Sequence, residues 1–269
     1  MAWRHFSEAQ WDKIREHLPL RPRRPKGGRP PADDRRCLEG ILWVLWTGAP
    51  WSEVPPRYGS GSSCWRRLRA WEASGLLLAL WRAFLAELND QQKIRWDECF
   101  ADGSFAPAKK GGSCVGKTKR GKGTKWMVLV DGAGTPLGAY LDAASPSEIT
   151  LLEATLDTVA VKRAGQPGRP RKRPDRLIAD RGYDSNTVRA LLVRRGIEPI
   201  IPARSNNTVA THQDGRKLRR YKRRWIVERT FSWLGYFRRL VVRYERLIET
   251  YASFFHLACA ILTLRVVLK

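Results

Sequence analysis

The chain has little of what would tie it to the cell exterior, a membrane or a thiol-built metal centre. Its five cysteines, at 37, 64, 99, 114 and 259, are odd in number and include no Cys-x-x-Cys pair. That argues against a disulfide framework or a cysteine zinc site and fits a reducing cytoplasm. No apolar core of an export signal follows Arg4 and His5, because Glu8, Asp12, Lys13 and Arg15 come at once. The longest uncharged stretch, Tyr251 to Leu264, is broken by Ser253, His256 and Thr263. It falls short of the roughly 18 residues of a membrane span and reads as a core helix. Acids are scarce as well: 26 Asp and Glu stand against 50 Lys and Arg, a formal net charge of +24. Such an excess points to a polyanionic partner. What the chain does have is 12 Trp and 43% hydrophobic residues in 269, enough core for one large domain or two modest ones.

The first 90 residues read as helices punctuated by Pro and Gly. Ser7 and Gln10 form a capping box, and Trp11, Ile14 and Leu18 mark one face as far as Pro19. Residues 21–31 are basic, proline-rich and without an apolar side chain, either a linker or a strap along phosphates. Asp33 or Asp34 caps a second helix with Cys37, Ile41, Val44 and Leu45 inward, ended by Gly48-Ala-Pro50. Ser60 to Ser63 cap a third, with Trp65, Leu68 and Trp71 on one side and Arg66, Arg67 and Arg69 on the other. Two helices joined by a tight turn, the second carrying arginines, suit a helix-turn-helix DNA reader; a solvated basic face is the plainer alternative.

From Ile94 the apolar runs shorten and alternate with turns. Cys99-Phe100-Ala101 should end at Asp102-Gly103, Trp126 to Val130 at Asp131-Gly132, and Leu177-Ile178-Ala179 at Asp180, with further strands over 136–141 and 197–201. Ser147-Glu148 and Ser185-Asn186 open helices. The expected organisation is a helical DNA-binding domain over 1–90 and, over 91–269, a mixed α/β domain whose first strands are antiparallel, their connections being too short for crossovers.

Gly111 to Thr118 fits the phosphate-binding loop pattern of nucleotide hydrolases, and Met127-Val-Leu-Val-Asp131 mimics its acidic strand. The context is wrong, because Pro107-Ala-Lys-Lys precedes it and Lys119-Arg-Gly-Lys-Gly123 follows, leaving no room for a helix before Trp126. Residues 107–123 read instead as a flexible cationic hairpin loop whose Lys117, Lys119 and Arg120 can touch a DNA backbone.

Asp102 and Asp180 each close an apolar run, where sites form in open sheets, although a turn or cap Asp would look the same. Further on, Leu218, Tyr221, Trp225, Ser232 and Gly235 recur at helical spacing, and Glu228 falls on that stripe, one turn after Arg224. A buried glutamate must be paired, neutral or metal-bound, and an ion pair with Arg224 is the structural alternative. Three acids beneath a cationic surface provide the oxygen ligands for two Mg²⁺ ions about 4 Å apart, with Mn²⁺ able to substitute. In this reading Asp102, Asp180 and Glu228 are both the catalytic residues and the metal ligands.

Asp180-Arg-Gly-Tyr-Asp184 and Tyr221-Lys-Arg-Arg-Trp-Ile-Val-Glu228-Arg-Thr-Phe-Ser-Trp-Leu resemble the second- and third-acid motifs of bacterial insertion-sequence transposases of the DDE class, family five in particular. Phe100-Ala-Asp102-Gly-Ser-Phe would carry the first acid, and the stretch up to Trp51, Leu-Trp-Thr-Gly-Ala-Pro-Trp, is similar to the family's N-terminal domain. The resemblance implies an RNase H-like core that cuts double-stranded DNA at terminal inverted repeats and joins the freed 3′ ends to target DNA. It also implies a homodimer or larger assembly on DNA, no membrane, and a bacterial cytoplasmic, nucleoid-associated location. Tyr221 and Arg224 would contact the DNA end. The signature's lysine, expected seven residues after Glu228, is replaced by Gly235, leaving Arg238 or Arg239 to substitute. Separations of 78 residues between the aspartates and 48 to the glutamate leave no room for a large inserted domain. The competing readings are an RNase H-like nuclease that does not transpose and a non-enzymatic DNA-binding protein. Histidine chemistry on single strands lacks a His-x-His pair, and Tyr221 and Tyr244 lack a nearby histidine for tyrosine attack.

Overall fold

The computed structural model describes residues 5–19, 31–163, 167–205, 207 and 215–269. Nearly all of the basic strap at 21–31 lies outside them.

Ser7 caps α1 (Glu8–Arg15) through the reciprocal Gln10 bonds expected of a capping box. Asp33 caps α2 (Asp34–Thr47), which ends at Gly48 in the left-handed conformation, φ 73°. Ser60 caps α3 (Gly61–Ala73), and α4 (Leu76–Asp90) follows at once. The connection between α2 and α3 is not the tight turn expected: prolines 50, 55 and 56 build two 3₁₀ turns, Trp51–Glu53 and Pro56–Tyr58, into it. The buried stripe of α3 is Cys64, Leu68 and Trp71, and Trp65 is 44% exposed.

β1 (Cys99–Pro107), β2 (Gly116–Thr118), β3 (Gly121–Asp131) and β4 (Pro136–Ala143) are antiparallel, as their short connections require. After α5 (Glu148–Asp157), β5 (Arg176–Ile178) pairs parallel with β1; after α6 (Asn186–Arg194), β6 (Glu198–Ile200) pairs parallel with β5. The main order is β4-β3-β1-β5-β6, with β2 hydrogen-bonded to the start of β3. Three antiparallel strands continued by two parallel ones, flanked by helices, form the mixed α/β sheet of an RNase H-like core.

β1 does not stop at Asp102-Gly103. It pairs with β3 from Cys99↔Asp131 through Pro107↔Gly123, so the acid sits in mid-strand. Asp131, fully buried, accepts the N–H groups of Arg95, Ala133 and Thr135 at 2.7–3.0 Å and so organises the β3–β4 turn. The phosphate-loop mimic is a β-hairpin: Lys117 lies in β2, opposite Lys122. The loop before it is not loose, because Arg243, wholly buried, donates to Ser113 O, Cys114 O and Thr124 Oγ1 at 2.6–3.0 Å.

The chain closes through α7 (Gly215–Leu218), a 3₁₀ segment over Arg219–Arg224, α8 (Trp225–Gly235), α9 (Arg238–Val241) and α10 (Ile248–Val267). α10 is long and apolar enough to cross a membrane by length and composition, but it is mostly buried as a core helix against α4, α3 and β4. The interval from 91 to 98 separates α4 from β1, yet one hydrophobic core runs across it from Phe6 to Val267.

Candidate active site

Asp102 stands on β1, its side chain 15% exposed, with Oδ1 accepting the Gly103 N–H at 2.9 Å. Asp180 lies two residues beyond Ile178, which pairs with Phe100 two residues before Asp102, so the register sets the two aspartates level, Asp102 within β1 and Asp180 just past the end of β5. The local sequence makes room for Asp180. A Cβ on Gly182 would lie 2.7 Å from its Oδ1, an oxygen buried with no hydrogen-bond partner. Two further residues of that motif are packed into the fold. Tyr183 is buried, and Asp184 is held by Arg189, the Arg204 N–H at 2.6 Å and Asn207 at 3.0 Å. Burial works against the charge of Asp184, and these bonds override it, holding the carboxyl below its ordinary range.

Glu228 reaches the site from the first turn of α8. It is not on the inward stripe: its side chain is 53% exposed, and the buried positions are Ile226, Val227, Thr230 and Leu234. The 3₁₀ segment over 219–224 changes the helical phase just before α8, so spacing counted across it from Leu218 and Tyr221 misplaces the stripe. Arg224 joins the acids, donating from Nη1 to Asp102 Oδ2 at 2.7 Å and from Nη2 to Glu228 Oε1 at 2.5 Å. The ion pair offered as an alternative to a catalytic role is therefore present within the acid cluster itself.

A fourth carboxylate, read from the sequence only as a helix opener, belongs to the same cluster. Glu148 lies against Gly103, where an added Cβ would fall 2.4 Å from its Cδ, and its Oε2 accepts the Tyr183 hydroxyl at 3.1 Å. The sequence signal is the glycine after Asp102, which by local pattern alone reads as a turn. Burial pushes the Asp102 carboxyl up from 3.8 to about 6; the Gly103 N–H and Arg224 oppose the shift, and Glu148 and Asp180 add to it. Burial, with Glu148 and Asp102 nearby, also drives the Tyr183 phenol up.

Among the described residues no three acids, histidines or cysteines already converge on one ion position. The donor chemistry still fits a hard divalent cation. The available atoms are carboxylate oxygens, one is a buried orphan, and Arg224 already places positive charge between Asp102 and Glu228.

The expected DNA contacts divide in two. Arg66, Lys117, Lys119, Arg120 and Arg238 are exposed, with Lys119 and Arg120 at the tip of the β2–β3 hairpin. Arg67 is instead paired with Asp34 and lies over the Trp71 ring, while Arg69 bonds Glu72 and Thr250, tying α3 to α10. Tyr221 is half-buried against the core. Arg239 is corrected outright: 7% exposed, it pairs with Glu245 at 2.7 Å and donates to Gly48 O and Ala49 O, so it cannot replace the signature lysine. Its carbonyl partners belong to the Gly-Ala-Pro motif that ends α2. Spacing also missed the Arg229 guanidinium, stacked between the Trp225 and Trp233 rings at 4.9 and 4.7 Å.

Residues 97–263 match the family described as "Transposase DDE domain", and residues 6–81 match "Putative transposase of IS4/5 family". A Burkholderia cepacia protein named "Putative transposase for insertion sequence element IS402" is 40% identical over 140 residues, 52% of this chain and 62% of that one. The chain thus spans less than two thirds of that relative. A second B. cepacia protein, "Insertion element IS402 uncharacterized 16.2 kDa protein", is 40% identical over 122 residues, 44% of this chain and 83% of its own. Among solved structures, the Mos1 Strand Transfer Complex aligns at 12% identity and a TM-score of 0.28, covering 81% of this chain and 80% of that one. The DDE-domain match runs across more than half of the chain and takes in Asp102, Asp180 and Glu228 together, and on that ground the chain belongs to the DDE transposase family.

Proposed function

We propose that the chain is the transposase of an insertion sequence, cutting phosphodiester bonds at the terminal inverted repeats of its element and joining the freed 3′ ends to target DNA. The observation that carries this reading is the approach of Asp102, Asp180 and Glu228 from three separate elements to one edge of the sheet, with Arg224 between two of them. The family implies dependence on a divalent metal. The finer assignment is two Mg²⁺ ions, replaceable by Mn²⁺, which Asp102, Asp180 and Glu228 would hold. When bound, such ions supply the charge that activates an attacking hydroxyl and stabilises a leaving oxygen.

The chain's own residues do the rest. β1 carries Asp102 and β5 delivers Asp180 just past its end, so the paired strands set the two aspartates as neighbours. Glu228, on a half-exposed face of α8, is accessible to duplex DNA. Arg224 holds Asp102 and Glu228 in place and presents a fork suited to phosphate. Lys117, Lys119 and Arg120 on the hairpin, Arg66 on α3 and Arg238 at the start of α9 supply exposed cations for the backbone, and Tyr221 lines the approach to Arg224. A homodimer on DNA follows from the need to pair two element ends, and the bacterial cytoplasm and nucleoid are where such a substrate is found.

The test is nicking of a supercoiled plasmid carrying the gene with its native flanks, in Mg²⁺ or Mn²⁺, with wild type beside Glu228→Gln and the cuts mapped. Cuts at defined flank ends that vanish in the variant support the proposal. Cuts scattered without regard to the flanks would point to a nuclease of the same fold. Tight binding without any cutting would point to a DNA-binding protein.

A further inference from the structure

We propose that Glu148 is a fourth carboxylate ligand of the divalent-metal site, held in position by Tyr183. The inference rests on the functional reading above and goes beyond the three acids of that reading.

An acid in the first turn of a helix ordinarily turns back to the helix's own N–H groups or out to water. Glu148 does neither. Its carboxylate lies against Gly103 in the neighbouring strand, immediately beside Asp102, in space that any other residue at 103 would fill: an added Cβ would lie 2.4 Å from Cδ and 2.6 Å from Oε1. Tyr183, 1% exposed, directs its hydroxyl to Oε2 at 3.1 Å, which fixes the rotation of the carboxylate. A phenol donor buried there serves to orient that group, since phenylalanine would fill the same volume without it.

The pattern of arginines supports the assignment independently. Several other buried or half-buried acids are matched by a cation, Arg220 and Arg223 to Glu98, Arg189 to Asp184, Arg239 to Glu245, Arg176 and Lys217 to Glu198, and the fully buried Asp131 is instead satisfied by three backbone N–H groups. Among the described residues, neither Glu148 nor Asp180 has an ion pair with Lys or Arg, although the chain carries 50 such residues. Asp180 Oδ1 lacks even a hydrogen bond. Glu148 and Asp180 thus bring carboxylate oxygens with no cation of their own to the place that holds Asp102, and a hard divalent ion is the partner such oxygens take.

The experiment measures Mn²⁺ binding to the DNA-free full chain by electron paramagnetic resonance and titration calorimetry, comparing wild type, Glu148→Gln and Asp102→Asn. Glutamine accepts the Tyr183 hydrogen bond and fits over Gly103, so a merely structural Glu148 would leave binding unchanged. Loss of a ligand should weaken Mn²⁺ by at least the roughly 10- to 100-fold seen for outer-shell partners. Unchanged binding in Glu148→Gln beside weakened binding in Asp102→Asn would overturn this inference and leave the functional reading standing. Wild-type binding by Asp102→Asn would instead remove the metal site on which both rest. Should Glu148→Gln not fold, wild type loaded with Fe²⁺ and treated with ascorbate and peroxide gives the answer. Backbone cuts near 102, 148 and 180 support the assignment, and cuts near 102 and 180 with none near 148 refute it.

Discussion

Replacing Asp102 with asparagine should stabilise the metal-free protein, and by more at pH 8 than at pH 5. Burial raises the Asp102 carboxyl from 3.8 to about 6, so the folded state holds its proton more tightly than the unfolded chain does. Stability from this group is therefore fully present below about pH 4 and lost as pH rises through about 6. With those two values, linkage gives a loss of about 1.6 kcal/mol by pH 5 and about 3 kcal/mol by pH 8. Asparagine does not titrate and escapes that loss. Its advantage over wild type should therefore grow by about 1.4 kcal/mol across the interval. For a chain of this size that is about 2 to 3 °C in Tm.

The assay is thermal and urea unfolding of both proteins in a chelator at pH 5 and pH 8. Taking the difference between proteins cancels groups common to both, including Asp184 and Glu198, whose carboxyls are shifted down and act in the opposite sense. Loss of the Arg224 contact lowers the variant's stability at both pH values but does not reverse the trend. Added Mn²⁺ at pH 8 should then stabilise wild type and not the variant. A difference that stays constant or shrinks from pH 5 to pH 8 would refute the argument from burial.

Further outcomes follow from the cations. Arg239→Ala should cost about 3 to 5 kcal/mol in urea unfolding, because it leaves Glu245 buried without its partner. Arg238→Ala, at an exposed position, should unfold within about 0.5 kcal/mol of wild type. If Arg238 contacts a phosphate, the same change should weaken DNA binding at all sequences and lower the salt slope by about 1. Gly235→Lys restores the signature cation at a position where an added Cβ meets nothing within 4 Å; tighter DNA binding by anisotropy with no loss of Tm is expected, and a fall in Tm would show the space to be occupied. With 6 to 10 phosphate contacts, affinity should drop by roughly 10³ to 10⁵ between 50 and 200 mM salt, and a flat response would contradict the electrostatic reading.

Features carried by short-range chemistry were legible in the sequence. Ser7, Asp33 and Ser60 start helices because each caps N–H groups within three residues, and the short connections between residues 99 and 143 permit only antiparallel pairing. The level placement of Asp102 and Asp180 was legible because each follows a buried apolar run, and those runs pair as neighbouring strands. What failed depended on a neighbour distant in sequence. Asp102-Gly103 looked like a turn because glycine after aspartate usually is one; here glycine is required by Glu148, 45 residues later. Arg67, Arg69 and Arg239 look like surface charge because no local pattern shows that Asp34, Thr250 and the Gly48 and Ala49 carbonyls come to meet them. Glu148 itself was hidden behind a serine that explained it well enough as a helix start.

The misplaced stripe of α8 bears on the chemistry as well as on the prediction. Had Glu228 faced the core with Ile226, Val227 and Leu234, a duplex could not have approached it, and ionising it would have required a fully buried partner. On the half-exposed face it remains accessible, and its charge is balanced at the protein edge by Arg224, which binds Asp102 with its other nitrogen. The surroundings of the two acids thus differ: Asp102 is pushed towards the protonated form by burial, while Glu228 is solvated and ion-paired. A shared arginine spans that difference because a guanidinium has donors for both carboxylates and stays charged whether or not Asp102 is protonated. Lysine at 224 would keep the charge but concentrate it at one point, so Arg224→Lys should loosen the link between β1 and α8 even with the net charge unchanged.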